Sequence, residues 1–223
     1  MSGAAGTTGA PNIMIRVLAL ASLSVLLLVV GAALRPLVDP PTATRPVLTD
    51  VEVGFVQDMA AHHQQALQMT ARLSPELDPA VLAFADRIDA AQRIELGTLL
   101  GWLTLAGAAP TNPDPMWWHR PAHEHAHEHG VALGRDVEVP MRGMATVAEL
   151  DALSTARGPD AEVLFLQLMK RHHDGGVAMA RAADLLLDDG PVKRSARAMM
   201  QEQSKESGLM TMMLAEREVV PAG

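Results

Sequence analysis

At 223 residues the chain has room for one sizeable domain. Three Phe, three Trp and no Tyr, set against many Ala, Leu and Met, point to an all-α fold, and a formal net charge of −8 argues against nucleic acid as the main partner. The lack of any cysteine excludes disulfides, thiolate metal sites, Cys nucleophiles and acyl-Cys anchoring, so a metal would have to be held by His, Met, carboxylate or backbone.

The first element is an uncharged apolar run from Val17 to Leu34, flanked by Arg16 and Arg35. Its length matches the roughly 18–20 residues that a membrane-spanning helix needs. Residues 1–35 read as an uncleaved signal anchor, with a signal peptide cleaved near Gly31, Ala32 and Ala33 as the alternative. Either reading places the folded part outside the cytoplasm: on the cell membrane if the anchor stays, secreted or periplasmic if it is cleaved. A Pro- and Thr-rich linker covers residues 36–48.

The remainder, residues 49–217, is built on an internal repeat. Phe55, Gln57, Met59, His62, His63 and Met69 recur in register as Phe165, Gln167, Met169, His172, His173 and Met179. Gln92 and Glu95 recur as Gln203 and Glu206. Thr49 and Glu52 form a capping box that opens a helix running to about Leu73, and Asp78-Pro79 opens a second reaching Ala106. Thr146 and Glu149 form another capping box for a short helix to Ala156. Gly158-Pro159 and Gly190-Pro191 open the last two helices, which end near Asp188 and Arg217. The pattern predicts a four-helix bundle made of two repeated hairpins, 49–106 and 158–217, joined by a crossover connection over 107–157.

On a helix of ~100° per residue, Phe55, Met59, His62, His63, Ala66 and Met69 share one face, as do Phe165, Met169, His172, His173, Gly176 and Met179. Gln92 and Glu95 lie on the inward stripe of the second helix, Gln203 and Glu206 on that of the fourth. A bundle that buries four His and two Glu must link them to each other or to metal. Thioether sulfur is a soft, neutral donor suited to Cu(I) and Ag(I), and imidazole serves copper in both oxidation states. A Met at helical spacing is commonly core filling, and an inward His commonly a hydrogen-bonded core residue. Their joint recurrence in both repeats favours a site.

The connection holds the other five histidines: His119, His123, His125, His127 and His129. The alternating tract has no fixed geometry but offers donors to Cu(II) or Zn(II), with a solvated His-rich tract as the plain alternative. Trp117 and Trp118 beside it would cover the bundle end or meet lipid headgroups. Met141 and Met144 add two thioethers.

These ordered motifs, together with Met141-Arg-Gly-Met144 leading into Glu149-Leu150, resemble the DUF305 family of ferritin-like helical proteins over about Val51 to Leu214. The resemblance implies copper and silver binding outside the cytoplasm, with Met59, His62, His63, Met69, Met141, Met144, Met169, His172, His173 and Met179 as the positions to suspect. Asp174-Gly175 after the second His pair, and the extended His tract, depart from the usual pattern.

Three functions compete. The first is binding of copper, with silver or zinc as further ions, for sequestration, resistance or hand-over to a membrane exporter or a copper enzyme; Glu95 and Glu206 would join its ligands. The second is a structural, partner-binding module beside a membrane assembly, in which His and Glu form a buried network; a homo-oligomer is compatible with either. The third is a di-iron or di-manganese oxidase, for which no Glu precedes either His pair at the required spacing. The balance leans away from an enzyme, and no hydrolase motif is present.

Overall fold

The computed structural model describes residues 10–38, 46–119 and 141–218. All regular structure among these residues is helical. Helix α1 spans Ala10–Val38, α2 Asp50–Thr70, α3 Pro79–Ala106, α4 Val147–Thr155, α5 Gly158–Leu186 and α6 Pro191–Glu218, with a single 3-10 turn at Trp117–His119. Residues 10–38 and the domain from Pro46 onward are separate compact units.

In the first unit, Ile13–Leu34 has a mean hydropathy of 2.7 and is long and apolar enough to cross a membrane. At ~1.5 Å per residue such a stretch spans the ~30 Å hydrocarbon core. The helix continues to Val38, so the first three residues expected in the linker are helical. The rest of that linker up to residue 45, and His123, His125, His127 and His129, lie outside the described residues.

The helix starts in the second unit follow local chemistry. Thr49 Oγ1 accepts the Glu52 N–H at 3.3 Å while the Glu52 carboxylate takes the Thr49 N–H at 2.8 Å, and Thr146 with Glu149 repeats this at α4. Asp78 caps α3 through the Ala80 N–H at 2.7 Å, with Pro79 in the first turn. Helix α3 stops at Gly107, whose φ of +65° is the left-handed conformation that glycine adopts without Cβ strain. Helix α2 ends at Thr70, three residues before the expected Leu73, where Ser74 and Pro75 lead into the turn.

Helix α5 packs most extensively on α6 and α2 on α3, giving the two hairpins, and the hairpins meet where α2 lies against α5. The core divides into two clusters. One joins Phe55, Val56 and Met59 of α2 to Leu99 and Leu103 of α3, Met179 and Ala183 of α5, and Val192 and Met199 of α6. The other joins Ala66 and Met69 to Val81 and Ile88, Phe165 and Met169, and Met210. The start of α2 thus shares a cluster with the end of α5, and the reverse, so the two repeats run antiparallel. Burying each of these large side chains stabilises the fold by about 1.5–3 kcal/mol. In the order of both α2 and α5, the histidine pairs fall between the two clusters.

Candidate metal centre

His62, His63, His172 and His173 are all fully buried. The His62 and His172 rings stack with centroids 3.7 Å apart and planes inclined by 27°, directly across the α2–α5 contact. His172 donates its Nε2–H to the His62 carbonyl at 2.9 Å. His63 donates Nε2–H to Glu95 at 2.7 Å, and His173 donates Nε2–H to Glu206 at 2.8 Å. A carbonyl or ionised carboxylate only accepts, so each of these three imidazoles, when neutral, carries its proton on Nε2 and a bare lone pair on Nδ1. Nδ1 of His63, His172 and His173 has no hydrogen-bond partner, and the His62 ring faces the Arg142 backbone without a well-formed hydrogen bond.

Electrostatics keep the stacked pair neutral. Burial first, then the neighbouring His63, pushes His62 down from 6.5 to about 3. Burial likewise holds His172 well below its ordinary value, with His62, His173 and His63 adding to the effect. Unprotonated imidazole is the form that ligates metal.

The thioethers sort by cluster rather than by repeat. Met59 and Met179, from different copies, meet in the first cluster with Met141 and Met199, and Met144 packs against it half-buried. Met69 and Met169 lie in the second cluster with Met210. Each His pair therefore has a Met of its own repeat on either side along the helix, and each cluster takes one such Met from each copy. Among the described residues, no group of three or more His, Asp or Glu side chains is already drawn together as a metal cage. Filling the site would need thioethers beside the imidazoles, with ring or rotamer movement.

Several contacts that build the site have no local signature in the sequence. Gln65 pairs its amide with both backbone groups of Ala145, at 2.8 and 2.6 Å, and so pins the loop carrying Met141 and Met144 onto α2. That loop also presses on α5. A Cβ at Gly143, where φ is +84°, would collide with the Arg171 carbonyl, and a Cβ at Gly175 with the Arg142 carbonyl. The spacing of Met141, Gly143 and Gly175 was visible, but backbone contact between distant segments has no local signature. Arg171 clamps Glu149 through two bonds of 2.7 and 2.6 Å, which holds that carboxyl down at about 2.

Asp58 also had no signal beyond its place beside Met59. Its carboxylate accepts from the Met116 N–H at 2.7 Å, the Trp118 indole N–H at 2.8 Å and Asn112 at 3.0 Å. Trp118 packs edge-on to Phe55 with centroids 5.5 Å apart, so it covers the end of the first cluster. His119, one residue on, is exposed.

A family profile described as a domain of unknown function, DUF305, matches residues 52–214. Among solved structures, the chain is similar to one from Streptomyces coelicolor named "putative secreted protein DUF305", with 36% identity and a TM-score of 0.64 over 75% of this chain and 94% of that one. It is also similar to a DUF305 fragment from Deinococcus radiodurans, with 32% identity and a TM-score of 0.60 over 75% of this chain and 97% of that one. Nothing among curated proteins matches.

Proposed function

The chain belongs to the DUF305 family, a family without an assigned function, and from its own site we propose that it binds soft metal ions, copper first and silver second, outside the cytoplasm. One observation carries this reading: in His63, His172 and His173 a fully buried Nδ1 has no hydrogen-bond partner while the opposite ring nitrogen is already tied to an acceptor. A metal-ligating histidine typically donates its other ring N–H to a carboxylate or a carbonyl, which orients the ring and raises its basicity. A purely structural buried network would instead satisfy those nitrogens, because an unpaired buried acceptor costs about 1–3 kcal/mol.

The donor set fits copper. His62, His63, His172 and His173 would ligate through imidazole, with Met59, Met141, Met144 and Met179 of the first cluster and Met69 and Met169 of the second as soft donors on either side. Glu95 and Glu206 fit better as the groups that orient His63 and His173 than as ligands themselves. The bound ion would supply soft Lewis acidity and a one-electron couple. The protein supplies four fully buried imidazoles, those of His62 and His172 held neutral. The exposed His119 and the tract from His123 to His129 would collect Cu(II) or Zn(II) at low affinity. On this reading the four long helices form a ferritin-like bundle with one crossover, and α1 is the anchor that keeps it at the membrane. Sequestration, resistance or hand-over to an exporter or a copper enzyme are the roles such a site serves.

The test is an anaerobic Cu(I) and Ag(I) titration of the full-length protein in detergent against a competing chelator. A variant with His62, His63, His172 and His173 all changed to Ala, the tract intact, runs beside it. Tight binding lost in that variant, with helical content kept, supports the reading. Binding that persists through the tract alone returns the buried histidines to a structural role.

A further inference from the structure

The Gln–Glu pair repeated on α3 and α6 is only half used by the site described so far. Glu95 and Glu206 each hold an imidazole, whereas Gln92 Oε1 and both amide atoms of Gln203 lack a hydrogen-bond partner. Gln92 and Gln203 are each only 2% exposed. A buried amide atom without a partner destabilises the fold, and such an atom occurs in both hairpins.

The two amides are not equivalent. A Cβ placed on Gly176 would collide with Gln203 Oε1, so glycine is what admits this amide against the α5 backbone. In the first repeat the matching position is Ala66, which already carries a methyl group. Gly176 lies one turn beyond His172 on α5, and Gln203 one turn before Glu206, the partner of His173. The amide therefore stands beside the histidine layer, on the side of the cluster containing Met59, Met141 and Met179.

We propose that Gln203 is a specificity-determining residue of the metal centre, its amide oxygen allowing the site to hold divalent as well as monovalent copper. The inference rests on the metal-binding reading. Thioethers favour the soft monovalent ion, and imidazole serves both states. A neutral oxygen donor is harder and favours the more highly charged ion. Losing it weakens Cu(II) more than Cu(I) and raises the reduction potential of the bound copper.

The experiment uses full-length protein in detergent with His123, His125, His127 and His129 changed to Ala throughout, so that Cu(II) held by the tract is not counted. Affinities for Cu(I), Ag(I) and Cu(II), and the potential of the bound couple, are compared for that parent and for Gln203→Leu, Gln203→Met and Gly176→Ala. The expected result in Gln203→Leu is a loss of about tenfold in Cu(II) affinity with Cu(I) and Ag(I) within about twofold, which for a one-electron couple is a rise of about 59 mV. Gln203→Met should show the same split, and so should Gly176→Ala, whose methyl displaces the amide. Should Gln203→Leu lose its helical circular dichroism, the other two variants decide the matter. Equal losses in both oxidation states, or none, overturn the role of Gln203 while leaving metal binding intact. A parent that takes up neither ion overturns both readings.

Discussion

Neutral histidine at the centre of a protein has a measurable cost. The folded state holds His62 at about 3, from an ordinary 6.5, and His172 also lies well below that value. Between those values the unfolded chain binds more protons than the folded one, so stability falls as pH falls. The stabilisation is complete above ~6.5 and is lost progressively towards ~3. Asp58, pushed up by burial, works in the opposite sense and cannot produce this loss. Chemical denaturation of the metal-free protein should therefore show stability dropping between pH 6.5 and 5, with a shallower slope in His62→Asn. A pH-independent midpoint across that window would contradict neutral, desolvated imidazoles. At this scale the sequence was informative about residue type and face: the four histidines are buried where the helical wheel put them. It did not show the tautomers, because these follow from acceptors supplied by other helices, His62 O for one ring and Glu95 and Glu206 for two others.

At the scale of elements, helix ends were legible and loop docking was not. Capping boxes at Thr49 and Thr146, and the Asp78-Pro79 start, are written within four residues and need nothing distant. The loop from Met141 to Ala145 is held by Gln65 and by backbone contact with α5, partners far away in sequence. The adjacent glycines of α5 separate the two kinds of contact. Ala in a helix interior is ordinarily favoured over Gly by about 1 kcal/mol. At position 175, however, the new methyl meets the Arg142 backbone carbonyl, which cannot swing aside. Gly175→Ala should destabilise by about 1–3 kcal/mol and loosen the loop, as read by thermal unfolding. At position 176 the obstacle is the mobile end of Gln203, so Gly176→Ala should unfold near the parent temperature. Equal losses at both positions would mean that the loop is not seated on α5 as described.

For the whole molecule, the two units carry different physics. The run from Val17 to Leu34 carries no charge on any side, whereas the domain from Pro46 onward has its own buried clusters. Deleting residues 1–45 should move the protein from the membrane fraction to the aqueous one while leaving helical circular dichroism per residue and the cooperative thermal transition of the domain in place. A truncated chain that still sediments with membranes would give the anchoring role to another surface. The all-helical class, the helix order, the repeat and the set of buried histidines were determined by sequence alone, since each rests on a period, a cap or a composition read within one segment. Which Met joins which cluster was decided only by tertiary structure, as was the His62–His172 stack and the entry of the Gln203 amide beside Gly176. The physical reason is that antiparallel packing of two copies pairs the start of one repeat with the end of the other, and no property of either repeat alone specifies that pairing.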